Sequence, residues 1–381
     1  MAKKGIMICG HGSRAKSAEQ EFGLLAAGLK RRYPDTPVEH GFLEYSAPNI
    51  HMGLDALRDA GVTEIIAVPG MLFAATHAKN DIPSVLTTYQ ERNPGLTVRY
   101  GRELGLHPQM IAAFQARILE ALKCDHVHDG DLYDTMLVVV GRGTSDTWAN
   151  AEAARLTRVV AENMGFGWAE TVYSGVTFPS VGRGLELLTR LGFSKIVVAP
   201  YFLFTGRLID RIYGYVDRVA EANSEIQFLK AHYLADQDHV IDTFVARIEE
   251  ASSASIPTTS NLMASFTERS ERGELEVHHH HAEYRDPLDD EQLTGHSHDH
   301  DDAGDHHLDD THAGGHSHHH GHSHGTYKHI AHPHGPRSMI DQGVCCCFMS
   351  QFPEGLIEEE RLLRAQFETV QTAQKPDKAS S

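Results

Sequence analysis

The chain has 381 residues, 41% of them hydrophobic and 23% charged, with a formal net charge of −18. That apolar content supports a core and excludes wholesale disorder, and no apolar run is long enough for a transmembrane helix. Charge is uneven: residues 1–250 carry 25 Lys+Arg against 30 Asp+Glu, residues 251–381 carry 9 against 22, and an acidic chain without basic patches is a poor partner for nucleic acid.

The opening MAKKGIMICGHGSR has no signal-peptide apolar core and runs straight into a strand-like GIMIC. Five cysteines, three of them contiguous, do not make a disulfide framework, so the expected location is cytoplasmic. Helical periodicity follows over Glu19–Arg32, then a second strand at about Val38–Leu43 and a third at Glu64–Val68. MLVVV, a helix over Ala149–Met164 and KIVVAP repeat the alternation. Strands alternating with helices predict βαβ units and parallel sheets, and continuous apolar strands predict sheets covered on both faces.

Shifting the chain by 131 residues lays MGLDALRDAGVTEIIAVPGMLF (52–73) over RGLELLTRLGFSKIVVAPYFLF (183–204) with 8 identities in 22 positions. The same shift puts Gly10 on Gly141, Gly12 on Gly143 and Pro48 on Pro179. One register held over separated blocks indicates duplication. The predicted fold class is α/β, with two tandem homologous lobes, 1–125 and 130–250, each a parallel sheet flanked by helices. Residues 251–342 read as a linker and a His/Asp-rich low-complexity region, expected to be largely disordered. Residues 343–381 read as a Cys-containing tail with a short amphipathic helix over Leu356–Thr372.

Chemistry concentrates at strand ends in the first lobe. His11 follows the first strand between glycines, Glu44 follows the second, and His77 lies beyond the third, near the start of a helix. Open α/β sheets bind ligands beyond the carboxyl ends of their strands, so these three potential divalent-metal ligands share one rim. The shift maps them to Arg142, Gly175 and Leu208. Scaffold residues recur while the ionisable trio does not, which predicts one active lobe and one partner lobe. A single histidine after a strand is more often a cap or packing residue; three such groups missing together from the duplicate argue for a site. GHGSR has neither nucleotide-binding glycine motif.

GHGSR, FLEYSAP and VPGMLFAATHAKNDIP resemble the CbiX-type sirohydrochlorin chelatases, class II chelatases. Two fused lobes, a His-rich stretch and a cysteine-bearing tail resemble the long form of that family, the sirohydrochlorin cobaltochelatases of cobalamin synthesis. The resemblance implies ATP-independent insertion of Co²⁺ into sirohydrochlorin in the cleft between lobes. It also implies His11 and His77 as metal-handling histidines, Glu44 as their acidic partner, and a downstream cobalamin-pathway methyltransferase as recipient of the product. Neutral imidazoles can hold a borderline cation and accept protons. Arg14, Arg142, Arg207 and Arg211 lie on the corresponding rims and are candidate substrate-carboxylate binders; Thr144 and Ser145, beside Arg142, are weaker ones. Insertion of iron or nickel, and a non-enzymatic metallochaperone or storage protein, are the alternatives.

Nineteen of the 28 histidines lie between His278 and His334. The densest run, His316, His318, His319, His320, His322 and His324, suits loose multi-site binding of divalent ions. Long-form relatives imply a [2Fe–2S] cluster on C-terminal cysteines. Cys345, Cys346 and Cys347 are contiguous, a departure from that pattern, and leave a thiol metal patch or an inert one as alternatives. Cys9 is expected to pack in the first strand, and Cys124 to be incidental.

Overall fold

The computed structural model describes residues 2–13, 15–144, 146–175 and 177–275, together with the backbone of 339–341 and 344–345. Strands β1 (Lys4–Gly10), β2 (Val38–Phe42), β3 (Glu64–Pro69) and β4 (Thr97–Tyr100) form a parallel sheet in the order β2-β1-β3-β4. Strands β5 (Thr135–Gly141), β6 (Trp168–Tyr173), β7 (Lys195–Pro200) and β8 (Gln227–Lys230) repeat it as β6-β5-β7-β8. Register repeats too: Ile6 opposes Ile66 in the first sheet and Leu137 opposes Val197 in the second, each pair 131 residues from its counterpart.

Helices α1 (Lys16–Arg32), α2 (Ile50–Asp59), α3 (Ile82–Arg92) and α4 (Pro108–Leu122) follow the first four strands. Helices α5 (Thr147–Met164), α6 (Val181–Leu188), α7 (Arg207–Ala222) and α8 (Asp238–Ser252) follow the second four. Local signals set their starts: Asn49 caps α2 by accepting from Met52 N, and its counterpart Ser180 caps α6 by accepting from Arg183 N. Both caps follow a cis-proline, Pro48 and Pro179.

Tertiary packing exchanges the last helix of each half. Helix α4 lies against β7, β8 and α5, whereas α8 lies against β3, β4 and α1. The ring of Phe114 meets Tyr201 edge-on at 5.1 Å, and the buried Arg247 guanidinium donates to Leu104 O at 2.7 Å. One apolar core therefore includes Ile8 and Val68 from the first sheet, Val139 and Val197 from the second, and Phe114 and Phe244 from the exchanged helices. Separate cores seal the outer faces beneath α2–α3 and α6–α7. Each sheet is covered on both faces, as its uninterrupted Ile/Val strands require.

Beyond residue 250 the expected linker gives way, up to Glu271, to structure. A single 3₁₀ turn (Thr258–Ser260) leads into helix α9 (Leu262–Glu271), capped by Asn261. Leu262 is buried in the core under α2–α3. Buried Arg269 donates to Lys79 O and Asn80 Oδ1, both at 2.8 Å. Periodicity over ten residues beside a polar tract is a weak helical signal, and the deciding contact lies 189 residues away in the chain. The backbone of β9 (Met339–Asp341) pairs antiparallel with β10 (Val344–Cys345). The histidine run 316–324, the side chains of Cys345–Cys347 and the helix expected over 356–372 lie outside the described residues.

Candidate active site

In the first sheet the chain leaves β1 toward β2 on one side and returns to β3 on the other, so the crevice between the ends of β1 and β3 is the topological switch point. His11 is the first residue past β1. Beyond the sheet, Leu43 N donates to Gly10 O at 2.9 Å and Glu44 N to His11 O at 3.0 Å; this extension of the β1–β2 ladder sets His11 and Glu44 side by side. Gly12 makes the approach possible: its φ is +94°, and a Cβ there would lie 1.7 Å from Glu44 O. Gly143 repeats the arrangement, with φ +80° and a Cβ position 2.2 Å from Gly175 O.

His77 begins a single π-helical turn, His77–Asp81, between β3 and α3; such turns are frequent at functional sites. The π-turn brings the ring of His77 edge-on to that of His11, with centroids 4.5 Å apart and planes at 89°. Asp81, with a side chain only 2% exposed, sits 2.5 Å from His77 Nδ1. A carboxylate only accepts, so Nδ1 carries the hydrogen and the Nε2 lone pair is left free for a metal. Sequence reading missed Asp81. Its signal was the i, i+4 spacing in HAKND, and its counterpart in the second half is Ile212.

Burial pushes His11 down to about 4; the neighbouring His77, which disfavours a second charged ring beside it, and the Arg142 guanidinium add to this, and Glu44 only partly offsets it. It is therefore a neutral imidazole at neutral pH. Arg142 holds in the second half the position of His11, and its guanidinium lies in the field of both Glu44 and Tyr45. The two lobes thus face each other across the site. A second link across this mouth is the ion pair of Lys79, in the π-turn, with Asp146. Asp146 also caps α5 through Trp148 N and Ala149 N.

Among the described residues no three or more His, Cys, Asp or Glu side chains converge at metal-binding distance. The pair His11 and His77 is what the structure sets together at ring-contact distance, with Glu44 acting on His11 through its charge. The other candidates separate. Arg207 is exposed at the start of α7, and Arg211 turns inward, donating to Ser174 O at 2.9 Å. Thr144 is used by its own turn, its hydroxyl accepting from Asp146 N and its carbonyl from Asn150. Arg14 and Ser145 lie outside the described residues. Cys9 is buried in β1, and that burial pushes its thiol far up; Cys124 is half-buried and free. The cysteines expected to hold a cluster, Cys345, Cys346 and Cys347, have side chains outside the described residues.

A family model described as CbiX matches residues 5–121 and 136–251. A sirohydrochlorin cobaltochelatase from Priestia megaterium is 32% identical over 65% of this chain and 79% of its own length. A sirohydrochlorin ferrochelatase from the same organism is 30% identical over 61% and 84%. SirB from Bacillus subtilis, solved with Fe³⁺, superposes with a TM-score of 0.58 at 27% identity, covering 66% of this chain and 97% of its own. The sirohydrochlorin chelatase SirB from B. subtilis subspecies spizizenii, in complex with cobalt, gives 0.56 at 26% identity, with 66% and 96% covered.

Proposed function

Because the chain belongs to the CbiX family, we propose that it is a sirohydrochlorin chelatase, and that its substrate metal is Co²⁺. The observation that carries the reading is the His11–His77 pair, 4.5 Å apart at the switch point of the first sheet and replaced by Arg142 and Leu208 in the second. Similarity to relatives named as sirohydrochlorin chelatases supports the substrate.

In this reading the two imidazoles hold the incoming ion as it sheds water, His77 through the Nε2 that Asp81 leaves free. Insertion requires pyrrole protons to depart. Glu44, set beside His11 by the extended ladder, is assigned their relay toward solvent. Arg142, facing Glu44 from the second lobe, offers a planar fork to a substrate carboxylate, and exposed Arg207 offers another. The second lobe then binds while the first performs chemistry.

Imidazole donors do not select cobalt unaided, and similarity to a ferrochelatase supports iron as the second reading. No helix among the described residues is long and apolar enough to cross a membrane; the cytoplasm is the proposed setting, with a cobalamin-pathway methyltransferase as the proposed recipient of the product. The test is an anaerobic absorbance assay of sirohydrochlorin metallation with Co²⁺, Fe²⁺ and Ni²⁺, using the full chain and His11→Ala. Cobalt-preferring turnover abolished by His11→Ala supports the proposal. A preference for Fe²⁺ moves it to the second reading, and no acceleration by folded protein with any ion overturns it.

A further inference from the structure

The segment joining α4 to β5 reads KCDHVHDGDLYD (123–134) and carries four aspartates with no Lys or Arg after Lys123. Val127 packs against the central core, whereas its neighbours His126 and His128 are both exposed. An extended residue anchored inward throws the residues on either side outward together. A turn then holds His128 in place: its N donates to Asp131 Oδ2 at 2.8 Å, and its carbonyl accepts from Asp131 N at 3.1 Å. The outcome is two imidazoles with Nε2 atoms 3.0 Å apart, centroids at 4.5 Å and planes at 86°.

We propose that His126 and His128 form a bidentate site for a divalent transition-metal ion, separate from the His11–His77 pair. With metal–nitrogen bonds of about 2.05 Å, a 3.0 Å separation closes a coordination angle of about 94°. That is near the right angle of cis positions in a square-planar or octahedral ion and well short of a tetrahedral one. The pair thus offers two cis nitrogens to a divalent ion such as Ni²⁺ or Co²⁺, with water completing the shell. Asp125, Asp129 and Asp131 in the same segment add negative charge that draws cations to it. Two protein ligands make a site that loads and unloads readily. This assignment stands on the geometry of the joining segment and is independent of the reaction proposed above.

Without metal, the same 3.0 Å approach is an N–H···N hydrogen bond between neutral rings, so the experiment must separate metal-dependent from metal-independent protection. The full chain, at buffered free Ni²⁺ or Co²⁺, is treated with diethylpyrocarbonate, and modification of each histidine is read by peptide mass spectrometry. At free metal of about ten times the dissociation constant, His126 and His128 should be modified roughly tenfold more slowly, in parallel. His126→Ala should abolish protection of His128, and His11→Ala should leave both unchanged. Metal protection of His128 that persists in His126→Ala, or no protection by either ion up to about 1 mM free metal, overturns the assignment.

Discussion

The buried carboxylate of Asp81 offers the sharpest test of how the first lobe works. Replacing Asp81 by Asn keeps its volume while removing the charge that accepts from His77 Nδ1 across 2.5 Å. The amide can instead donate to Nδ1, which shifts the ring hydrogen to Nε2 and blocks the nitrogen assigned to the metal. Losing an outer partner of a metal-binding histidine costs about 10- to 100-fold, equivalent to roughly 1.4–2.8 kcal/mol. The side chain is 2% exposed, so water cannot substitute as a partner. Asp81→Ala should lose at least as much activity and also destabilise the fold by about 1–3 kcal/mol, because it empties a buried position and removes the partner of His77 Nδ1. The assay is the initial rate of sirohydrochlorin metallation under anaerobic conditions, with urea unfolding in parallel. A residue that positions His77 should lower kcat with KM for the tetrapyrrole held within about twofold. Folded Asp81→Asn protein with a rate within about twofold of the parent would refute the tautomer argument.

Gly12→Ala should destabilise the protein by about 3 kcal/mol or more, because its Cβ would fall 1.7 Å from Glu44 O at φ +94°; Gly143→Ala should behave similarly, and chemical unfolding measures both. In the metal-free protein, the His11 ring should titrate near pH 4 by NMR. Since the unfolded chain takes up that proton near pH 6.5, His11 makes stability fall as pH drops from about 6.5 to about 4 and leaves it level above. His11→Ala should flatten that slope, and a ring titrating near 6.5 in the native protein would contradict the burial argument. Arg142→Ala should raise KM for sirohydrochlorin by about 5- to 20-fold with a smaller change in kcat, and Arg142→Lys should restore little of it, as expected for loss of a planar carboxylate fork; steady-state kinetics in the same assay separate the two constants.

Much of this was legible in one dimension. Uninterrupted Ile/Val runs and the 131-residue repeat follow from local chemistry, which is why the expected strands and helices fall within a few residues of their observed bounds. His11, Glu44 and His77 were legible because the duplicate served as a control: a scaffold residue recurs in both halves, and a chemical one need not. Asp81 was hidden because its partner is created by a π-turn, and α9 because its anchor, Asn80, is distant in sequence.

The amino-acid sequence by itself determined the two sheets, their shared register, and which half bears the histidines, since propensity, periodicity and duplication act over short stretches. Only the tertiary structure decided that α4 and α8 change places. Each sheet needs its inner face covered, and the helix that seals it best is supplied by the other half, so the two repeats share one core. With the halves held together by that core, Arg142 lies in the field of Glu44 at the rim of the first lobe, and Lys79 pairs with Asp146. Long-range packing of apolar faces, which no local pattern encodes, turned two similar lobes into one asymmetric site.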